Sequence, residues 1–222
     1  ESQLKTDRRY IHQNAEAGMC LPNTTAYVKN RLMEIGLEPE EICPSGLSVL
    51  IKGDKPGKTI LLRADMDALP MEENNNLPFK STTNAAHTCG HDLHTAMLLG
   101  AAQILKESQH ELCGNVKLMF QPGEELFQGS KTMIDAGILK NPAVDAAMSM
   151  HVIMDTAVPS LCYGIKNSSA SCDGFKLTIH GCGCHGAMPH LGVDPINVGT
   201  HIYSSFQNLI AREIDPAERV SL

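Results

Sequence analysis

Between Thr59 and His151, strand-like and helix-like stretches alternate, and no other feature of this chain restricts its fold so strongly. Thr59–Arg63, Val116–Gln121 and Val144–His151 are apolar runs of strand length. Asp92–Ser108, rich in Ala, Leu and Met, has the length of a buried helix, and Gly129–Ala136 reads as another that ends at Gly137. Such alternation implies an α/β fold, a mostly parallel sheet with helices on both faces. Upstream, the charged stretch Glu1–Tyr10 is helical in character. Thr24–Ile35 repeats apolar positions at Ala26, Val28, Leu32, Met33 and Ile35 until Gly36 stops it. Leu47–Ile51 is a further strand, and the turn-rich Gly53–Gly57 reads as a hairpin connection from it to Thr59–Arg63.

After turn-rich Ala157–Ser171 the pattern changes. Phe175–His180 alternates like a half-exposed strand, Pro195–Arg212 reads as a helix, and Arg219–Leu222 begins another strand. These elements suit the opening of a small α+β domain. A boundary near Ser168–Gly174 is expected, dividing the chain into 1–170 and 171–222. The chain has no initiator methionine and stops at Leu222 inside what reads as an unfinished domain. With 222 residues and 42% hydrophobic content, the expectation is one ordinary domain plus part of another.

The formal charge of −7, with no basic cluster longer than Arg8-Arg9, gives no electrostatic footprint for nucleic acid or an anionic membrane. No apolar run approaches bilayer length, and Glu1–Arg9 lacks a signal-peptide core. A small-molecule partner is favoured. Eight cysteines scatter without a disulfide framework. A thiolate ligand needs the reduced state, so a reducing, cytoplasmic setting is expected.

The groups that carry chemistry follow predicted strands. Asp65 and Asp67 come after Thr59–Arg63, Glu124-Glu125 after Val116–Gln121, and His151 at the end of the third strand. Sites in open α/β sheets assemble at the carboxyl ends of strands, so these residues are expected to converge. Cys89 and His91 sit at the entry to the Asp92 helix, with Gly90 letting both turn toward one centre. A thiolate, imidazoles and a carboxylate suit zinc, manganese, cobalt or nickel better than calcium. Such a set would hold two divalent ions about 3.5–4 Å apart. Of the Glu-Glu pair, one is expected to bind metal while the other takes a proton from water.

Four stretches resemble the signatures of the metal-dependent N-acyl-amino-acid amidohydrolases, within the aminoacylase-type two-metal peptidases. They are Arg63–Pro70, His87–His94, Phe120–Glu125 and His185–Pro195, in order. The resemblance implies Cys89 as bridging thiolate, His91, Glu125 and His151 as terminal ligands, and Glu124 as general base and acid. It implies Asp67 as the support behind the ligands. It implies that His185 reaches a neighbouring subunit's site to stabilise an oxyanion. It further implies an N-acyl amino acid substrate and an inserted ferredoxin-like α+β lid through which a homodimer forms. The chain departs from the family pattern at Gly183-Cys184, where a Gly-Gly pair is usual, and at His12-Gln-Asn-Ala-Glu16. The resemblance also implies a last ligand histidine well beyond the lid, and the sequence stops at Leu222 before any such residue.

Two other readings stay open. One is a catalytically impaired fragment or a non-catalytic metal- or ligand-binding module. The other is a thiol-redox protein using Cys182 and Cys184, although Cys-x-Cys lacks the two-residue spacer usual for zinc or redox pairs.

Overall fold

The computed structural model describes residues 2–154, 159–163, 171–215 and 220–221. The chain forms two compact units, Glu1–Asp155 and Thr156–Leu222. The expected boundary near 168–174 and the strand expected at 219–222 fall partly outside the described residues.

In the first unit, α1 (Ser2–Gln13) and α2 (Pro22–Glu34) precede β1 (Glu40–Cys43), β2 (Gly46–Lys52) and β3 (Lys55–Asp65). Then come α3 (His91–Glu107), β4 (Cys113–Gln121), α4 (Gly129–Asp135) and β5 (Ala146–Ser149). Pro22 opens α2, where its missing N–H is no loss, and Gly36 ends it with φ +77°, a left-handed conformation that side chains resist.

The sheet runs β1-β2-β4-β3-β5. β3 pairs in parallel with β4 and β5, whereas β1–β2 and β2–β4 are antiparallel. The sheet is therefore mixed rather than mostly parallel. The hairpin expected between β2 and β3 does not form, because β4 lies between them. The connecting turn still reverses the chain, but it packs on the start of β4, where Gly53 N donates to Gly114 O (2.8 Å) and Lys55 N to Leu112 O (3.3 Å). Turn residues report that the chain reverses, not which strand fills the gap.

Side chains alternate across β4. Val116, Leu118 and Phe120 join Leu47, Val49 and Ile51 of β2 in the larger core, covered by Val28 and Leu32 of α2 and Leu98, Leu99 and Ala102 of α3. Met119 faces the other way, into a smaller core with Leu61, Met133 of α4 and Ile138. Helices thus cover both faces. β5 has one described neighbour, and all four of its residues are exposed.

In the second unit α5 spans Pro195–Arg212, with Asp194 as N-cap accepting from Ile196 N (2.9 Å) and Asn197 N (3.3 Å). Phe175–His180 is not in a strand. No described segment pairs with it, and Phe175 instead meets Phe206 of α5 edge-on at 5.7 Å between ring centroids. A complete lid sheet is not seen among the described residues. No described helix is long and apolar enough to cross a membrane.

Candidate metal centre

The register of the parallel strands decides where the loops emerge. Asp65 pairs with Gln121 and Arg63 with Ser149, so β3, β4 and β5 end at one edge of the sheet. Asp67 follows β3, Glu124 and Glu125 follow β4, and His151 stands two residues past β5. Cys89 and His91 reach that edge from the N-terminus of α3. Gly90 makes this possible: its φ is +88°, and a Cβ there would overlap the Val152 side chain.

His91 lies at the centre. Its ring is 1% exposed, and Nδ1 donates to the Asp67 carbonyl at 2.7 Å. In the neutral ring this makes Nε2 the acceptor nitrogen, and Nε2 is buried without a hydrogen-bond partner. Around Nε2 stand Asp65 Oδ2 (3.7 Å), Glu125 Oε1 (3.8 Å) and Glu124 Oε2 (3.9 Å). Glu125 Oε1 is likewise buried without a partner. His151 Nδ1 donates to the Val152 carbonyl (2.7 Å), turning Nε2 toward Cys89 Sγ at 3.4 Å. The ligand atoms of Cys89, His91 and His151 lie within 4.8 Å of one another, as do those of His91, Glu124 and Glu125.

Asp67 is fully buried behind this group. Its Oδ1 accepts from Glu124 N (2.9 Å) and its Oδ2 from Glu125 N (3.1 Å), so one carboxylate orients the whole Glu-Glu turn. His185 belongs to the second unit, where Nδ1 accepts from Ala187 N at 3.2 Å.

The electrostatics suit a cation. Burial and then the Glu125 carboxylate push the Cys89 thiol up to about 12. Burial, with Asp65 and Glu125 nearby, also raises Glu124. A divalent ion reverses this field: it favours the thiolate and absorbs the crowding of acidic groups. Two orphaned buried acceptors, two imidazoles each presenting Nε2, a thiol and carboxylates form a donor set that fits a borderline divalent metal.

Asp65 reaches this edge with the other strand-end groups, and its close partner is His94 of α3, a pairing that spacing does not report. His94 Nδ1 donates to Asp65 Oδ1 (2.6 Å), and its Nε2 accepts from Val152 N (3.0 Å), which ties the His151 loop to α3. Burial alone would raise Asp65, but the His94 hydrogen bond and Arg63, 2.9 Å away, hold it down to about 2. The available signal was His94 standing three residues after His91, on the same helix face.

An α/β sheet whose parallel strands deliver thiol, imidazole and carboxylate groups to one edge defines a candidate metallohydrolase scaffold. Residues 61–208 match the pattern of peptidase family M20/M25/M40, and the chain belongs to that family. It is 40% identical over 218 residues to thermostable carboxypeptidase 1 of Saccharolobus solfataricus, covering 95% of this chain and 54% of that protein. It is 39% identical over 226 residues to the N-acetyl-L-cysteine deacetylase of Bacillus subtilis, covering 100% and 53%. A solved Bacillus subtilis structure, described as a dinuclear metal-binding peptidase of the M20 family, superposes with a TM-score of 0.67 at 37% identity over 69% of this chain and 43% of that one. The chain spans about half the length of the curated relatives it matches.

Proposed function

We propose that this chain supplies the metal centre and general base of a hydrolase that cleaves the amide bond of N-acyl amino acids or related conjugates. The observation that carries the reading is the convergence of Cys89, His91, His151, Glu124 and Glu125 on the unpartnered Nε2 of His91. Relatives named for deacetylation and carboxypeptidase activity support the substrate class.

Cys89, His91, Glu125 and His151 would hold the metal, two divalent ions of zinc, manganese, cobalt or nickel. Bound divalent ions supply Lewis acidity, polarising the acyl carbonyl and lowering the pKa of water. Glu124 takes the proton of the attacking water and returns it to the leaving amine nitrogen, a role suited to a carboxyl that burial raises above its ordinary value. Asp67 keeps Glu124 and Glu125 in register through their amides. His185, from the second copy of a homodimer, steadies the developing oxyanion. In this reading 1–170 is the catalytic part, 171–222 opens the lid, and the thiols stay reduced in a cytoplasmic setting.

A second reading, metal or ligand binding without turnover, is favoured by β5, which stands exposed at the sheet edge beside the site. Turnover of a panel of N-acyl amino acids by the metal-loaded full chain separates the two. Glu124→Gln is expected to abolish hydrolysis while retaining its metal content. Wild-type turnover in that variant refutes the role of Glu124, and no turnover by the loaded wild type favours the second reading.

A further inference from the structure

A second buried cluster lies behind the metal centre. His12, near the C-terminus of α1, places Nδ1 2.8 Å from Asp92 Oδ2 and Nε2 3.1 and 3.2 Å from Glu73 Oε1 and Oε2. All three residues are buried. An ionised carboxylate only accepts, so a ring held between two of them donates from both nitrogens and is an imidazolium. The Asp92 hydrogen bond does raise the pKa of His12, against the opposing effect of burial. Arg8 Nε stands 2.7 Å from the same Asp92 oxygen as an ion pair without hydrogen-bond alignment. Two cations therefore face two anions. Glu73 also accepts from Ser81 N (2.7 Å), so the cluster ties the 73–81 loop to α1 as well.

Asp92 is the residue after His91, the first of α3, and the N-cap Gly90 supplies no side-chain cap. The other Asp92 oxygen, Oδ1, has no partner. The start of α3 is thus anchored by α1 through Asp92 Oδ2. Further along, α1 lies so close to α3 that a Cβ on Gly100 would come 2.5 Å from Leu4 Cδ2.

We propose that His12 is a positioning residue for the metal centre: clamped as an imidazolium between Asp92 and Glu73, it holds the first turn of α3 so that Cys89 and His91 keep the spacing their metal requires. The inference rests on the metal-centre reading above. It involves no contact of His12 with substrate or metal.

The test is a Co2+ titration of the full chain, following the thiolate-to-cobalt absorption of Cys89, with circular dichroism of each metal-free protein. Glu73→Gln keeps the Asp92 hydrogen bond to His12 and serves as the reference for whatever the lost Glu73 charge costs by itself. His12→Asn combined with Glu73→Gln removes one cation and one anion, so no unbalanced charge is buried. That protein is expected to bind Co2+ about tenfold more weakly, with an altered thiolate band. Affinity and spectrum equal to those of Glu73→Gln alone overturn the proposal. So does a loss no larger than the unfolded fraction, because that is a general structural effect. A wild-type chain without any thiolate–cobalt band overturns the metal-centre reading itself, and the inference with it.

Discussion

Asp67→Ala tests how the Glu124–Glu125 turn is held. The wild-type carboxylate is fully buried and accepts two backbone amides, at 2.9 and 3.1 Å. Hydrogen bonds to a charged acceptor contribute about 1.5–3 kcal/mol each, and a buried amide left unpaired costs a comparable amount. Removing the acceptor of both is therefore expected to destabilise the first unit by about 3–5 kcal/mol, somewhat less than the sum because neighbouring bonds are not additive. The same change releases Glu124 and Glu125 from their orientation toward His91 Nε2, so metal affinity is expected to fall about 10–100-fold. Urea unfolding followed by circular dichroism gives the first quantity, and competitive chelator titration gives the second. Stability within about 1 kcal/mol of wild type together with unchanged metal affinity would refute the reasoning.

Two further outcomes follow from the site geometry. Gly90→Ala forces φ +88° on a residue with a Cβ that meets Val152, so a stability loss of about 2 kcal/mol or more and weaker metal binding are expected; unchanged melting and metal titration would contradict this. Asp65, held at about 2 against an ordinary value of 3.8, contributes about 2 kcal/mol of stability that is fully present above pH ~4 and is lost as the pH falls toward ~2; unfolding free energies across pH 2–5 should show this slope in the wild type and a shallower one in Asp65→Asn.

Local pattern makes some elements legible in the sequence. The expected α5 coincides with the observed Pro195–Arg212, because Asp194 and Pro195 mark its start. The apolar run after Cys89-Gly-His91 placed α3 within a residue of its observed bounds. Pairing order was not legible. Nothing local to Gly53–Gly57 reports that β4 inserts between β2 and β3, since that choice is made by burial of β4 on both faces. β1, with no buried residue, carries too little apolar signal to be seen. Lys117 shows the same limit from the other side. A lysine in a strand reads as a solvent-facing position, yet here it is buried and donates to three carbonyls, Ile138 O, Lys140 O and Pro142 O, at 2.9, 2.7 and 3.0 Å.

In the site, Cys89, His91, Glu124, Glu125 and His151 could be nominated because each follows a strand or opens a helix, and parallel strands deliver such residues to one edge. The role of Asp65 and His94 could not be weighed in the same way. Their chemistry depends on a 2.6 Å contact across 29 residues of sequence, and on Val152 N reaching back to His94. His12 is more remote still, 80 residues from the Asp92 that it binds.

The central claim is that Cys89 is a ligand of a divalent metal. Its most direct test is the near-ultraviolet spectrum of the Co2+-loaded full chain, compared with Cys89→Ser. The account predicts a thiolate-to-cobalt band in the wild type that disappears in the variant, although seven other cysteines remain. A band that survives Cys89→Ser would contradict it.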